Sequence, residues 1–365
     1  MLEYRIIIKP ISYLLFIGIF MFACDRSSST NGDNGNDPQI LMIYDIHTHA
    51  SIKSDSSAAP LVEQLDSFDI ELNIVMPYPK PLVDFGGETD NLESFFSSYT
   101  YKFKLMYGGA ELQPLLHAVG CPNAFTVENI YPNGYTGGRP LDELMDKMTN
   151  IAFNPDKWEP EFRKRATNAA QSGKYVGFGE LAPLHYSLRT DHPYITYPVN
   201  HPWMLWLSDL AAQYHLVLDI HLEATSETLG QFMDLLEHNR NTKIIWEHAG
   251  WSNTGITTAE LLSQMMGENS NLYLAVKLRK PETTERNAAH PLDETGMIKS
   301  EWLNLLTTYP DRIMVGTDVK YWSSDISLEE EISGKINAIK KLLNQLPTEI
   351  AQFIGSETAK SLFGL

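Results

Sequence analysis

The sequence predicts an α/β chain folded as a (β/α)8 barrel of the TIM type. Three observations carry this expectation. Short β-branched apolar runs alternate with amphipathic stretches from residue 41 onward. Eight such runs fall within residues 41–365, a length that suits one barrel with inserted loops. No G-x-G-x-x-G follows any of the runs, which argues against a doubly wound sheet.

Taken in order, the expected strands are LMIYDIHTH (41–49), ELNIVMPY (71–78), FKLMYGGA (103–110), YVGFGEL (175–181), LVLDIHLE (216–223), KIIWEHA (243–249), LYLAVKL (272–278) and RIMVGTDV (312–319). Helical patterns lie between most of them, among them APLVEQLDSF, PWMLWLSDLAAQYH, SETLGQFMDLLEHN and SEWLNLLTTY. Residues 111–174 are long for one crossover. They are expected to form an elaborated loop and helix pair over the pocket, with a long helix after Pro160. The tail from residue 335 reads as two closing helices separated by Pro347.

The residues ahead of the barrel have a different character. Arg5 and Lys9 precede ISYLLFIGIFMFAC (11–24), an apolar stretch too short for a membrane span and suited to a signal-peptide core. Residues 1–23 are read as a signal peptide, 24–40 as a flexible linker and 41–365 as the barrel domain. The Ala23-Cys24 junction and the polar run after it resemble a bacterial lipoprotein signal. That resemblance implies a lipid anchor on Cys24 and a place in the cell envelope. An ordinary cleaved signal, giving an exported or periplasmic protein, or an uncleaved anchor is the alternative. Cys121 is the only other cysteine, so no intramolecular disulfide is expected after processing. The net charge of −18 speaks against a nucleic-acid partner. The expected partner is a small-molecule substrate, with membrane contact only through the lipid, and assembly into a homo-oligomer stays open.

The strand ends carry the chemistry. In IYDIHTHA, Asp45, His47 and His49 are two residues apart and share one strand face. Strand four ends in Glu180, strand five in His221, strand six in His248 and strand eight in Asp318. Barrel enzymes build their sites at the C-terminal strand ends, so six metal-capable side chains would meet there. Singly, each has an ordinary role as a satisfied core histidine, a strand-end carboxylate or a cap. The recurrence of one position at five strand ends is what points to a metal. His117, His192, His201, His238 and His290 read as loop or helix-surface residues, and His185 and His215 are undecided. Trp246 and Glu247 are placed outside the site.

Asp45-Ile-His47-Thr-His49, followed by His221, His248 and Asp318 in that strand order, resembles the amidohydrolase superfamily. FKLMYGGAELQPLL, IIWEHAG and RIMVGTDV resemble its amidohydrolase-related (amidohydrolase 2) branch. The resemblance implies zinc or a similar divalent ion held by His47, His49, His221 and Asp318. It makes His248 either a second-metal ligand or a residue that polarises the substrate. Glu180 stands where two-metal members hold a bridging carboxylate, which favours two ions over one. The implied activity is hydrolysis of an amide, lactone or ester of a small molecule. Metal lowers the pKa of its water from 15.7 to about 7, with Asp318 taking the proton and the metal or His248 stabilising the oxyanion. A metal-dependent non-oxidative decarboxylase on the same fold and a non-catalytic binding lipoprotein are the alternatives. Lys277 and Arg279 share a face near the end of strand seven, where they would clamp a substrate carboxylate or pair with a loop acid. Tyr78 and Trp251, with Tyr321 and Trp322, would wall the pocket or pack beneath the loops. The sequence has no G-x-S-x-G elbow, so covalent serine catalysis is not expected.

Overall fold

Eight parallel strands close on themselves in the computed structural model. It describes residues 41–79, 88–123, 125–131, 140, 142–146, 154–185, 194–251, 256–278, 289–322 and 326–365. The signal and linker segments with Cys24, and also His192 and Arg279, lie outside the described residues. The barrel strands are β1 (Ile43–Ala50), β2 (Ile70–Met76), β3 (Phe103–Gly108), β4 (Tyr175–His185), β5 (Val217–Leu222), β6 (Lys243–Ala249), β7 (Leu272–Val276) and β8 (Ile313–Val315). They pair in sequence order, and Asp45 opposite Val315 joins β1 to β8 and closes the ring. The expected (β/α)8 barrel is borne out.

Helices cover the outside. Ala58–Ser67, Pro202–Gln213, Ser226–His238, Ala259–Glu268 and Ser300–Thr308 each follow a strand and bury one apolar stripe. Ser226–His238 starts at a capping box built by Thr225 and Thr228 and buries Phe232, Leu235 and Leu236. Phe232 meets the edge of Trp246, whose indole N–H donates to the Leu222 carbonyl at 3.1 Å. Trp246 therefore lies outside the site, as expected.

The barrel interior has its own core. Ile46, Leu72, Ile74, Met76, Met106, Val217, Ile245, Ala275 and Met314 come from seven strands, and Val176 of β4 packs against them. Ala359, Leu362 and Phe363 from the last helix belong to the same cluster. Each fully buried side chain of this size contributes about 1.5–3 kcal/mol. This apolar plug leaves the strand C-termini as the polar end.

Three expectations need correction. RIMVGTDV is not one strand: β8 stops at Val315, and Val319–Tyr321 resumes beside β1. The break has a cause, because Asp318 takes a left-handed backbone (φ 51) and the Thr317 amide turns to the Asp45 carboxylate. The long helix of the fourth crossover runs Pro155–Ser172 and so begins before Pro160. Pro155 occupies the first turn, where the absent N–H costs little, and Pro160 is carried inside. His117 and His290 are buried rather than on the surface. His117 faces inward from helix Gln113–Gly120 and meets Phe125 edge-on.

Candidate metal centre

Most candidate ligands sit where their strand departs from regularity, His49 being in regular register with Met76. The β1–β2 register shifts between Asp45 and Thr48, around His47. The β4–β5 register shifts on both sides of Leu181, next to Glu180. The β6–β7 register shifts between Trp246 and Ala249, around His248, whose φ is 60. Left-handed backbone at a non-glycine residue costs on the order of 1–3 kcal/mol, and such residues cluster at functional sites. Glycines make room for the centre. A Cβ at Gly179 would lie 2.5 Å from the Asp219 Cβ, and one at Gly316 would lie 2.8 Å from the His47 Cβ.

The structure brings His47, His49, Glu180, His221, His248 and Asp318 together, all 8 % exposed or less. Glu180 is the hub. Its Oε2 lies 3.3 Å from His49 Nε2 and 3.7 Å from His47 Nε2. Its Oε1 lies 2.8 Å from His221 Nδ1 and 3.1 Å from His248 Nε2. Asp318 Oδ1 faces the first pair, 3.6 Å from His49 Nε2 and 3.9 Å from His47 Nε2. Two donor pockets result. One holds His47, His49, Asp318 and Glu180 Oε2; the other holds His221, His248 and Glu180 Oε1.

The donor set fits divalent ions. Nitrogen and carboxylate oxygen donors suit zinc, with other first-row ions also accommodated. His47 Nε2 finds no hydrogen-bond partner among the described residues although it is wholly buried. Four imidazoles converging on one carboxylate make a poor core and a good ion cage.

The electrostatics agree. Burial works against ionisation of Glu180, but His47, His221, His248 and His49 more than offset it and hold the carboxyl well below its usual range. Burial likewise opposes ionised Asp318, and Lys277, Lys320, His248 and Lys335 overcome it. His221 is disfavoured as a cation by burial, yet Glu180 and Glu223 raise it to about 10. Burial and then Lys277 push His248 well down, and burial lowers His49.

The expected substrate residues fall as follows. Lys277 donates to Asp318 Oδ2, the salt-bridge alternative for this residue, although its acid is the candidate ligand itself. Tyr78 stacks on His49 with ring centroids 4.6 Å apart, and the Lys320 ammonium lies over the Tyr78 ring, 5.5 Å from its centroid. Trp251 is half-buried, and its amide donates to the His248 carbonyl at 2.9 Å. His185, undecided from sequence, packs on His221 at 4.9 Å. Asp45 does not join the imidazoles; it accepts from the Thr317 amide at 2.9 Å and from its hydroxyl.

Two buried acids were missed by sequence reasoning. Glu247 is a correction, because its Oε2 lies 3.2 Å from His47 Nδ1 instead of facing outward. Simple alternation would turn Glu247 away from His248, but the left-handed His248 lets both face inward. Asp219 Oδ1 lies 4.0 Å from the same nitrogen. Its signal was present: Asp219-Ile-His221 repeats the Asp45-Ile-His47 pattern, with the acid two residues before the imidazole.

No family model matches the chain, and no curated protein matches it. Solved structures do. A dihydroxybenzoic acid decarboxylase from Polaromonas sp. JS666, with bound manganese and the inhibitor 2-nitroresorcinol, superposes with TM-score 0.51 at 11% identity, covering 89% of this chain and 97% of that one. An amidohydrolase 2 from Bifidobacterium longum subsp. infantis gives 0.44 at 10% identity, covering 89% and 99%. A beta-aspartyl dipeptidase from Fervidobacterium islandicum AW-1 gives 0.48 at 11% identity, covering 89% and 73%. At these identities the likeness is one of fold: a TIM-type barrel shared with members of the amidohydrolase superfamily.

Proposed function

We propose that the chain is a metal-dependent hydrolase of the amidohydrolase type, which would hold two divalent ions with Glu180 shared between them, acting on an amide, lactone or ester of a small molecule. One observation supports this above the rest: each oxygen of a single buried carboxylate faces a different pair of imidazoles. A one-ion site has no use for that division.

His47, His49 and Asp318 would hold one ion, and His221 and His248 the other. Zinc suits the donors best, and manganese is the metal in the Polaromonas structure. Bound there, the ions supply Lewis acidity and a water acidic enough to react near neutral pH. The chain's own residues do the rest. Glu180 stays ionised and balances the charge between the pockets. Asp318 keeps an ionised oxygen to accept the proton of the attacking water and return it to the leaving group. Lys277 grips the other Asp318 oxygen and fixes its orientation. Tyr78 and Trp251 would wall the substrate side, with Arg279 a further candidate for a substrate carboxylate.

The test is metal content with product analysis. Purified protein should carry two ions, chelation should abolish turnover, and lactones, esters or amides should give an acid. Release of CO2 from a carboxylic acid would move the assignment to the decarboxylase chemistry of the Polaromonas enzyme. Full activity without metal would remove both. We further propose that Cys24 carries a lipid anchor at the cell envelope, so that Cys24→Ser should release the protein or block its processing. Unchanged membrane association of that variant would count against the anchor.

A further inference from the structure

The two β1 imidazoles are held differently from behind. His49 Nδ1 meets the Met76 carbonyl at 3.1 Å, and His47 Nδ1 meets Glu247 Oε2 at 3.2 Å. Both rings thereby turn Nε2 toward Glu180 and Asp318. One backing group is a neutral peptide carbonyl; the other is a carboxyl with its pKa pushed up to about 8, chiefly by burial, whose ionised form a cation at His47 would favour. The Glu247 contact is an ion-pair distance, not yet an aligned hydrogen bond, and His47 Nδ1 has no other hydrogen-bond partner among the described residues.

An acid placed there is expensive. Glu247 is 2 % exposed, and Asp219 beside it is fully buried. Glu247 Oε1 and both Asp219 oxygens find no hydrogen-bond donor among the described residues. Burying such groups costs several kcal/mol unless something compensates. Nothing in the apolar plug below them does so. The two acids face each other, and the imidazole nitrogen nearest to Glu247 is His47 Nδ1. A carboxylate on the far nitrogen of a ligating imidazole fixes its tautomer and strengthens the near nitrogen as a donor.

We propose that Glu247 is the positioning residue of His47: it selects the tautomer that ligates through Nε2 and makes the His47–His49–Asp318 pocket the tighter of the two. The inference rests on the two-ion reading. It adds to that reading a ranking of the two ions and a cause for the ranking.

The experiment is a zinc titration against a competing chelator, comparing wild type with Glu247→Gln, alongside thermal unfolding of both metal-free proteins. Glutamine keeps the size and removes the charge. The tighter equivalent should weaken about 10–100-fold. The weaker equivalent should hold its wild-type affinity, and the metal-free Tm should not fall. Unchanged affinities for both ions would overturn the proposal, as would both weakening together with a lowered Tm. A second measurement needs no variant: long-range proton–nitrogen NMR on zinc-loaded wild type should show His47 protonated at Nδ1. Protonation at Nε2 would overturn it. Wild type that binds no zinc sinks the two-ion reading itself, and is thereby distinct from a failure of Glu247 alone.

Discussion

The two halves of the candidate centre are built on different plans. The β1 half takes two imidazoles from one strand at i and i+2, both through Nε2, and completes itself with Asp318 from the far end of the chain. The other half takes one imidazole from each of two strands, His221 through Nδ1 and His248 through Nε2. The first spaces its imidazoles by the two-residue period of one strand, beside a register shift at His47, and closes on the left-handed Asp318. The second needs a left-handed residue to aim His248. Each pocket thus holds one left-handed residue, Asp318 in the four-donor pocket and His248 in the three-donor pocket, and the latter has only two imidazoles beside the shared Glu180.

That contrast can be broken at several points. Asp318→Asn should have the largest effect, a fall in turnover of about 10²–10⁴-fold, because the proton acceptor is lost together with a donor of the β1 half. Steady-state kinetics with metal in excess would show it, and near-normal turnover would exclude Asp318 from proton transfer. Glu180→Gln should come next: one ion is lost or both weaken, since a neutral amide cannot balance two cations. Elemental analysis of that variant decides, and two ions bound at wild-type affinity would mean the carboxylate does not bridge. His248→Asn should separate the halves, leaving one equivalent of metal in the β1 pocket. If instead the protein keeps both ions and loses only turnover, His248 is a substrate group.

Metal removal sharpens the same comparison without mutation. Stepwise chelation should empty the three-donor pocket first and pass through a stable one-ion form, visible as two release phases. A single phase would say that the halves act as one unit. The smallest effect is expected from Gly316→Ala. Its Cβ would press on the His47 Cβ from 2.8 Å, at a cost of about 1–3 kcal/mol, and should loosen only the β1 half. Equal weakening of both ions in that variant would show the halves to be mechanically coupled.

Much of this was legible in the sequence because it follows regular periods. The eight strands, KIIWEHA to the residue among them, came from apolar runs. His47 and His49 came from a period of two, and the meeting of Glu180, His221, His248 and Asp318 came from their shared strand-end position. What was missed lies where the period breaks. His248 faces inward beside Glu247 because it is left-handed, and β8 ends early because Asp318 is. No propensity scale anticipates a positive φ at histidine or aspartate in an apolar run. The pairing of Lys277 with Asp318 was equally hidden, because it depends on how closely β7 and β8 bring two loops together. Asp219 is a different kind of miss, since alternation placed it on the His221 face all along.

The Asp45–Thr317 contact joins positions 272 apart in sequence. It ties the first strand to the last, and Asp318 is the next residue. A nascent chain therefore makes its two β1 imidazoles almost at once and then waits for nearly the whole polypeptide before their pocket can be finished. Loop closure over that distance is a late, entropically costly event. Metal capture in the proposed β1 pocket would thus report completion of the fold, and a product truncated before residue 317 would expose a pair of histidines with no ion to keep.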